Sequence, residues 1–262
     1  MVKGTNSGMP ADLSWPVMAV CGLIFFIAAI VTGFSGFGFA LISVPLLLLV
    51  LDLKFAVPSV LLAGFFSVVV LSANKLRFFR EKTILVVAVA MAVGTVFGTY
   101  ILKYSGTGAL SFLDTSLLRK ILGVIIILFA LHILLRVRQH EAPRFRGPIG
   151  FVAGILSGIL GGLFGTSGPP LVVYVHHFAE NKSAFRSQLL ILFLLHDIFR
   201  IYLYVKNSLI DLDIIRFDLM LLPPLIVGLI IGSRMHFQVN ETTFNRAIGL
   251  MLCVSGLLLL VR

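Results

Sequence analysis

Charge is scarce in this chain. Only 12% of its 262 residues are Asp, Glu, Lys or Arg, where a soluble domain carries about 25%. Acids are scarcer than bases, 11 against 21. So few charges cannot cover a water-facing shell, which excludes an ordinary soluble domain. Cysteine is nearly missing as well. Cys21 and Cys253 both lie inside apolar runs, where they read as small packing residues. With no CxxC motif and no His/Cys cluster, neither a metal, a redox centre nor another cofactor is expected. No P-loop, GxSxG, HExxH or acid pair at catalytic spacing occurs, so an ATP-driven pump has no residues to run on.

What is present is apolar length. The chain is 59% hydrophobic, with a mean hydropathy of +1.08. Apolar segments run at 16–51, 54–73, 84–104, 117–135, 148–178, 185–205, 214–234 and 246–261. Runs of 18 or more apolar residues read as membrane-spanning helices. Outer-membrane strands would instead alternate over segments of about ten residues. The net charge of +10 sits in short clusters between these runs, as cytoplasmic loops require. The polar segments are too short to form a nucleic-acid-binding domain. The opening stretch, Met1 to Pro16, has Lys3 as its only base and does not read as a signal peptide.

The pattern of one long segment and three ordinary ones occurs twice. Gly33, Gly36 and Pro45 in GFSGFGFALISVP recur at one constant offset as Gly158, Gly161 and Pro170 in GILGGLFGTSGPP, and Lys75 recurs as Arg200. VGTVFGT (93–99) matches VGLIIGS (227–233), and RKILGV (119–124) matches NRAIGL (245–250). Such internal similarity marks a duplication. It predicts a tail at 1–15, a first repeat at 16–135, a basic cytoplasmic linker at 136–147 and a second repeat at 148–262.

The long segments carry the topological argument. Residues 16–51 as one helix would measure about 54 Å, against a hydrocarbon core of about 30 Å. Each long segment also has a glycine-rich centre, where helix is weakest. The expected fold is therefore an all-α polytopic membrane protein. Each of its two pseudo-symmetric repeats opens with a Gly/Pro-broken helix or hairpin. Hairpins would make each repeat cross an odd number of times and give the halves inverted topology. Lys and Arg counts do not separate this from an eight-span arrangement, though both put 74–83 and 136–147 inside.

Irregular backbone at membrane depth is tolerated only against protein or a water-filled cavity. The turns at 33–38 and 161–170 are therefore the first candidate site. Helices starting after them would present free N–H groups and positive dipole ends, which suit an anion. The binding set is Ser35, Gly36, Gly38 and Pro45 from the first turn, and Gly165, Thr166, Ser167, Gly168, Pro169 and Pro170 from the second. Ser35, Thr166 and Ser167 supply hydroxyl donors. The spaced sets Gly150/Gly154/Gly158, Gly94/Gly98 and Gly228/Gly232 read instead as close helix packing. The second candidate is FRSQLLILFLLHDIFRIYLYV (185–205), which adds Arg186 and Gln188 near the second turn. His196 and Asp197 lie mid-span, where a charge costs about 2.5–3.5 kcal/mol. With Arg200 and Lys75 they form the electrostatic and coupling set, in which His196 or Asp197 would relay protons. A self-neutralised Asp197–Arg200 pair is the competing reading. His132, His176 and His177 are weaker candidates, the last two reading as interfacial.

GFSGFGFALISVPLLLL, GILSGILGGLFGTSGPPLVVYV and the following AFRSQLL resemble the TauE/SafE family of sulfite exporters, and the likeness extends over about 17–262. The resemblance implies secondary transport of sulfite, sulfonates or related anions, exported across a bacterial inner membrane. This chain departs from the commonest first motif, a run of three glycines after Gly36, by carrying Gly36-Phe37-Gly38-Phe39-Ala40. Two phenylalanines there would narrow or reshape that side of the site. The expected partners are a small anion, the lipid bilayer, protons as coupling ion and a second copy in a homodimer; nucleic acid is not among them. Three other readings remain open: a passive anion channel; a membrane-embedded enzyme, for which Ser167 with His196 is the pair to test; and a structural membrane subunit with no site, against which the mid-span His196 and Asp197 argue.

Overall fold

The structure is a computed structural model that describes residues 15–72, 82–107, 110–135, 146–178, 182–235 and 241–261. Among these residues the chain is all-helical. Ten helices follow in order: α1 (Trp15–Ser35), α2 (Phe39–Leu47), α3 (Leu53–Ser72), α4 (Lys82–Tyr104), α5 (Thr115–Leu135), α6 (Arg146–Phe164), α7 (Gly168–Phe178), α8 (Lys182–Lys206), α9 (Leu212–Met235) and α10 (Glu241–Val261). Five stretches are both long and apolar enough to cross a bilayer: Trp15–Ser35, Leu53–Ser72, Ile84–Tyr104, Ala184–Lys206 and Leu212–Arg234.

Helix starts follow local chemistry. Asp114 and Asp211 stand before α5 and α9, and their carboxylates accept from the N–H groups of Leu117 and Ile214 at 2.7 and 2.9 Å. This is N-capping, which satisfies donors that a helix leaves open.

Both long segments break. Gly36 and Gly38 take φ of 83° and 103°, and Gly165 takes 76°, values open to glycine and strained for other residues. The helix cannot continue through them, so α1 ends at Ser35 and α6 at Phe164. The 9 residues of α2 and 11 of α7 are about 14 and 17 Å long, too short to span. Each runs back along the helix before it. The Phe39 ring meets the Phe25 ring edge-on at 5.3 Å between centroids, and the Tyr174 hydroxyl lies against Gly150. The breaks are narrower than the predicted turns because Gly33 and Gly161 remain helical.

Helices pack in long pairs: α1 along α9, α4 along α6, and α5 along α10, while α3 crosses α8 and α9 and α4 crosses α8. The spaced glycines make these approaches. A Cβ on Gly154 or Gly158 would fall on the carbonyl of Val87 or Met91, and one on Gly94 or Gly98 on that of Ile155 or Ile159. Gly228 and Gly232 meet the Phe26 and Ile30 carbonyls of α1 in the same way. Backbones this close gain dispersion contacts that lipid tails cannot match.

The polarity is that of a protein dissolved in lipid. Leu128, Phe97, Tyr100, Met220 and Leu219 are exposed, whereas Ser43, Ser59, Thr95, Asp197, Arg200 and Asp218 are buried. The interior holds the groups that hydrocarbon would not tolerate.

Candidate functional site

The two breaks come together. Gly36, Phe37 and Gly38 from the first, and Gly165, Thr166, Ser167 and Gly168 from the second, line one cavity of about 60 Å³. Phe39, Ala40 and Leu41 of α2 add to it, with Thr32 of α1, Val60, Gly64 and Val68 of α3, and Phe193, Asp197 and Arg200 of α8. A water needs about 10–15 Å³ of such space, so the volume suits one small oxyanion with little water around it.

Helix ends dominate its electrostatics. Leu41 of α2 packs against Gly168 at the start of α7, so two N-termini sit side by side on the cavity. Each carries a partial positive charge of about 0.5. The first N–H groups of α2 have no partner within the helix. The α7 end differs: Pro169 and Pro170 have no N–H, and proline fits a first turn for that reason. In compensation it offers side-chain donors. Thr166 and Ser167 are buried, and their hydroxyls have no hydrogen-bond partner among the described residues.

Arg200 is the cation on the wall. It is 2% exposed. Its Nη1 donates to the Gly161 carbonyl at 3.1 Å, its Nη2 lies 3.7 Å from Asp197 Oδ1, and its Nε has no partner among the described residues. Asp197 Oδ1 also lies 3.5 Å from His196 Nδ1, which makes no hydrogen bond. On its other side, His196 Nε2 is 2.8 Å from the Thr95 hydroxyl, which donates to the Met91 carbonyl at 2.6 Å. The carboxylate thus stands between two cationic or protonatable groups and makes a close bond to neither.

The sequence-predicted residues divide by place. Gly36, Gly38, Gly165, Thr166, Ser167, Gly168, Asp197 and Arg200 line the cavity. His196 lies behind the wall, beside Gly161 and Thr95. Ser35 is occupied by its own turn, its hydroxyl 2.8 Å from the Val31 carbonyl and 2.6 Å from that of Phe37. Pro45 lies within α2, and Pro169 and Pro170 in the first turn of α7, off the lining. Arg186 packs its stem on Gly36 and donates to the Gly33 carbonyl at 2.8 Å, clamping the end of α1. Gln188 is half-buried on α8 away from the cavity. Lys75 falls outside the described residues, as do the side chains of His132, His176 and His177.

Sequence reasoning missed Thr95, Gly64 and Phe193. Thr95 was visible as a hydroxyl inside an otherwise apolar VGTVFGT stretch. Nothing in α3 or α8 singles out Gly64 or Phe193, which matter only through the crossing of those helices. Among the described residues no three His, Cys, Asp or Glu converge as metal ligands.

Apolar outside, polar inside, and broken by paired short helices around a small donor-rich cavity, the chain is a helical membrane protein with a pocket suited to a small anion. It belongs to the sulfite exporter TauE/SafE family, whose sequence model matches residues 21–259. It is similar to the probable sulfite/organosulfonate exporter TauE of Cupriavidus necator, 23% identical over 188 residues and covering 71% of each chain. No solved structure gives a significant match.

Proposed function

We propose that this protein is a secondary transporter that carries a small sulfur oxyanion or sulfonate outward across the bacterial inner membrane. The observation that carries the reading is the convergence of both helix breaks, two helix N-termini and Arg200 on one cavity. The family supports a sulfur anion as the solute. Thr166, Ser167, the first N–H groups of α2 and Arg200 would hold its oxygens. Asp197 fills the same field when the anion is away. On anion arrival Asp197 turns toward His196, which then carries a proton, so anion and proton movement are linked. Phe37 and Phe39 form an apolar wall that favours a compact solute.

The two halves, 16–135 and 148–262, act as inverted repeats that rock about the site. Reciprocal packing supports this: α1 pairs with α9 as α6 pairs with α4, α3 crosses α9 as α8 crosses α4, and α5 lies on α10. The glycines of VGTVFGT and VGLIIGS serve equivalent seams in the two pairs. An enzymatic reading gains little, because His196 Nε2 faces Thr95 and makes no hydrogen bond to Ser167.

The test is flux into proteoliposomes of sulfite, thiosulfate, sulfoacetate, sulfate and chloride, with and without a pH gradient. Saturable flux of a sulfur anion with counterflow is expected. Linear, conductance-like chloride flux, or no sulfur-anion flux from folded protein, would overturn the proposal.

A further inference from the structure

We propose that Asp218 and Ser59 form a proton-binding site at the crossing of α3 and α9, separate from the anion cavity, whose loading governs how tightly the two helices are clasped. Asp218 lies within the apolar helix α9 and is only 7% exposed. Its Oδ1 accepts the Ser59 hydroxyl at 2.5 Å, and its Oδ2 has no partner among the described residues. That distance is at the short end for a hydroxyl donating to a carboxyl group. An ionised carboxylate has about four acceptor sites, and here one donor serves them all.

Among the described residues no cation pairs with Asp218. The helices packed along α9 are α1 and α3. α1 carries no charged residue, and its titratable group is the buried thiol of Cys21. α3 carries Lys54, whose ammonium is directed at the carbonyls of Lys103 and Ser105, at 3.5 and 3.4 Å. On α9 itself Asp213 and Arg216 face each other at 3.6 Å and lie toward the exposed end, and Arg234 belongs to the last turn. The neighbouring walls are aromatic, with the Phe217 ring 5.3 Å from Phe55 and 6.3 Å from Phe25. Three side-chain oxygens, two of Asp218 and one of Ser59, do not make a cage for a calcium ion, which asks for six or more. A proton is the ligand that fits: on Oδ2 it neutralises the acid and turns an orphan acceptor into a hydroxyl.

Both helices are weakened at this place. Pro58 immediately precedes Ser59, and Pro223 and Pro224 follow Asp218 within two turns. Each proline removes a helical hydrogen bond and favours bending. Once Asp218 loses its proton to water, the carboxylate needs donors that the closed crossing lacks, so α3 and α9 separate there. α3 also forms a wall of the anion cavity through Val60, Gly64 and Val68. The proton site and the cavity therefore share one helix. Only an O–H bond forms or breaks, and water supplies and receives the proton.

Infrared difference spectra of the whole protein in lipid nanodiscs test the site without any solute. The expected result is a protonated-carboxyl band near neutral pH that fades reversibly as pH rises, is missing in Asp218→Asn, and changes frequency in Ser59→Ala. A band unaffected by Asp218→Asn, or none at all, would overturn the site, whether or not the sulfur-anion reading holds. Flux tests its role: Asp218→Asn should keep anion–anion exchange and lose the stimulation by a pH gradient. Equal loss of exchange and stimulation from folded protein would make Asp218 merely structural, and unchanged stimulation would leave coupling to His196 and Asp197 alone and overturn the role given to Asp218.

Discussion

Replacing Arg200 with Gln removes the cavity's cation and keeps a polar side chain of similar reach. In the native structure the guanidinium bonds the Gly161 carbonyl at 3.1 Å on the wall of the cavity. A hydrogen bond to a charged group contributes about 1.5–3 kcal/mol, and each 1.4 kcal/mol is tenfold in affinity. Arg200→Gln should therefore raise the half-saturating anion concentration in proteoliposomes by about 10- to 150-fold. The substitution also strips Asp197 of its nearest cation, and an uncompensated buried charge is strongly destabilising, by about 3–5 kcal/mol. The double variant Arg200→Gln/Asp197→Asn separates these effects. It should regain thermal stability over the single variant while its anion affinity stays low. Native affinity in a folded Arg200→Gln protein, or full recovery in the double variant, would refute the role given to this arginine.

Thr166→Val with Ser167→Ala deletes two free hydroxyls at the start of α7. At about 1 kcal/mol per neutral hydrogen bond, the pair should lose about 30-fold in affinity, read as the shift in half-saturation for transport. Gly158→Ala places a methyl on the Met91 carbonyl in the α4–α6 seam; overpacking should lower unfolding stability by about 1–3 kcal/mol, measured by thermal denaturation in detergent. Phe37→Ala opens the wall where Phe37 meets Phe185 edge-on. It should move selectivity from sulfite toward bulkier sulfonates by about tenfold, measured as competing fluxes.

The breaks were legible because glycine and proline punctuate a helix wherever they fall. Their limits at Gly36 and Gly165 were not, since Gly33 looks like a turn residue and serves the α1–α9 seam instead. Arg186 read as an anion ligand because it follows the second turn, yet it closes the end of α1 in the other half of the chain. Periodicity says which residues share one helix face and nothing about which helix crosses it. The Thr95–His196 and Ser59–Asp218 pairs lie 101 and 159 residues apart in sequence for that reason. Asp218 nevertheless left a signal, an acid inside an apolar run, which in a membrane protein asks for a function.

In the proposed transporter the two helix breaks form a single anion site. Single cysteines at Ala40, beside the first break, and at Thr166, in the second, test it directly. The background would be a chain with Cys21 and Cys253 replaced. Labelling by a small thiol reagent is measured as the transported sulfur anion is titrated in. Protection of each position, with a half-maximal concentration equal to that for transport by the same variant, is the predicted result. Protection of one position alone, or of neither while transport saturates, would contradict it.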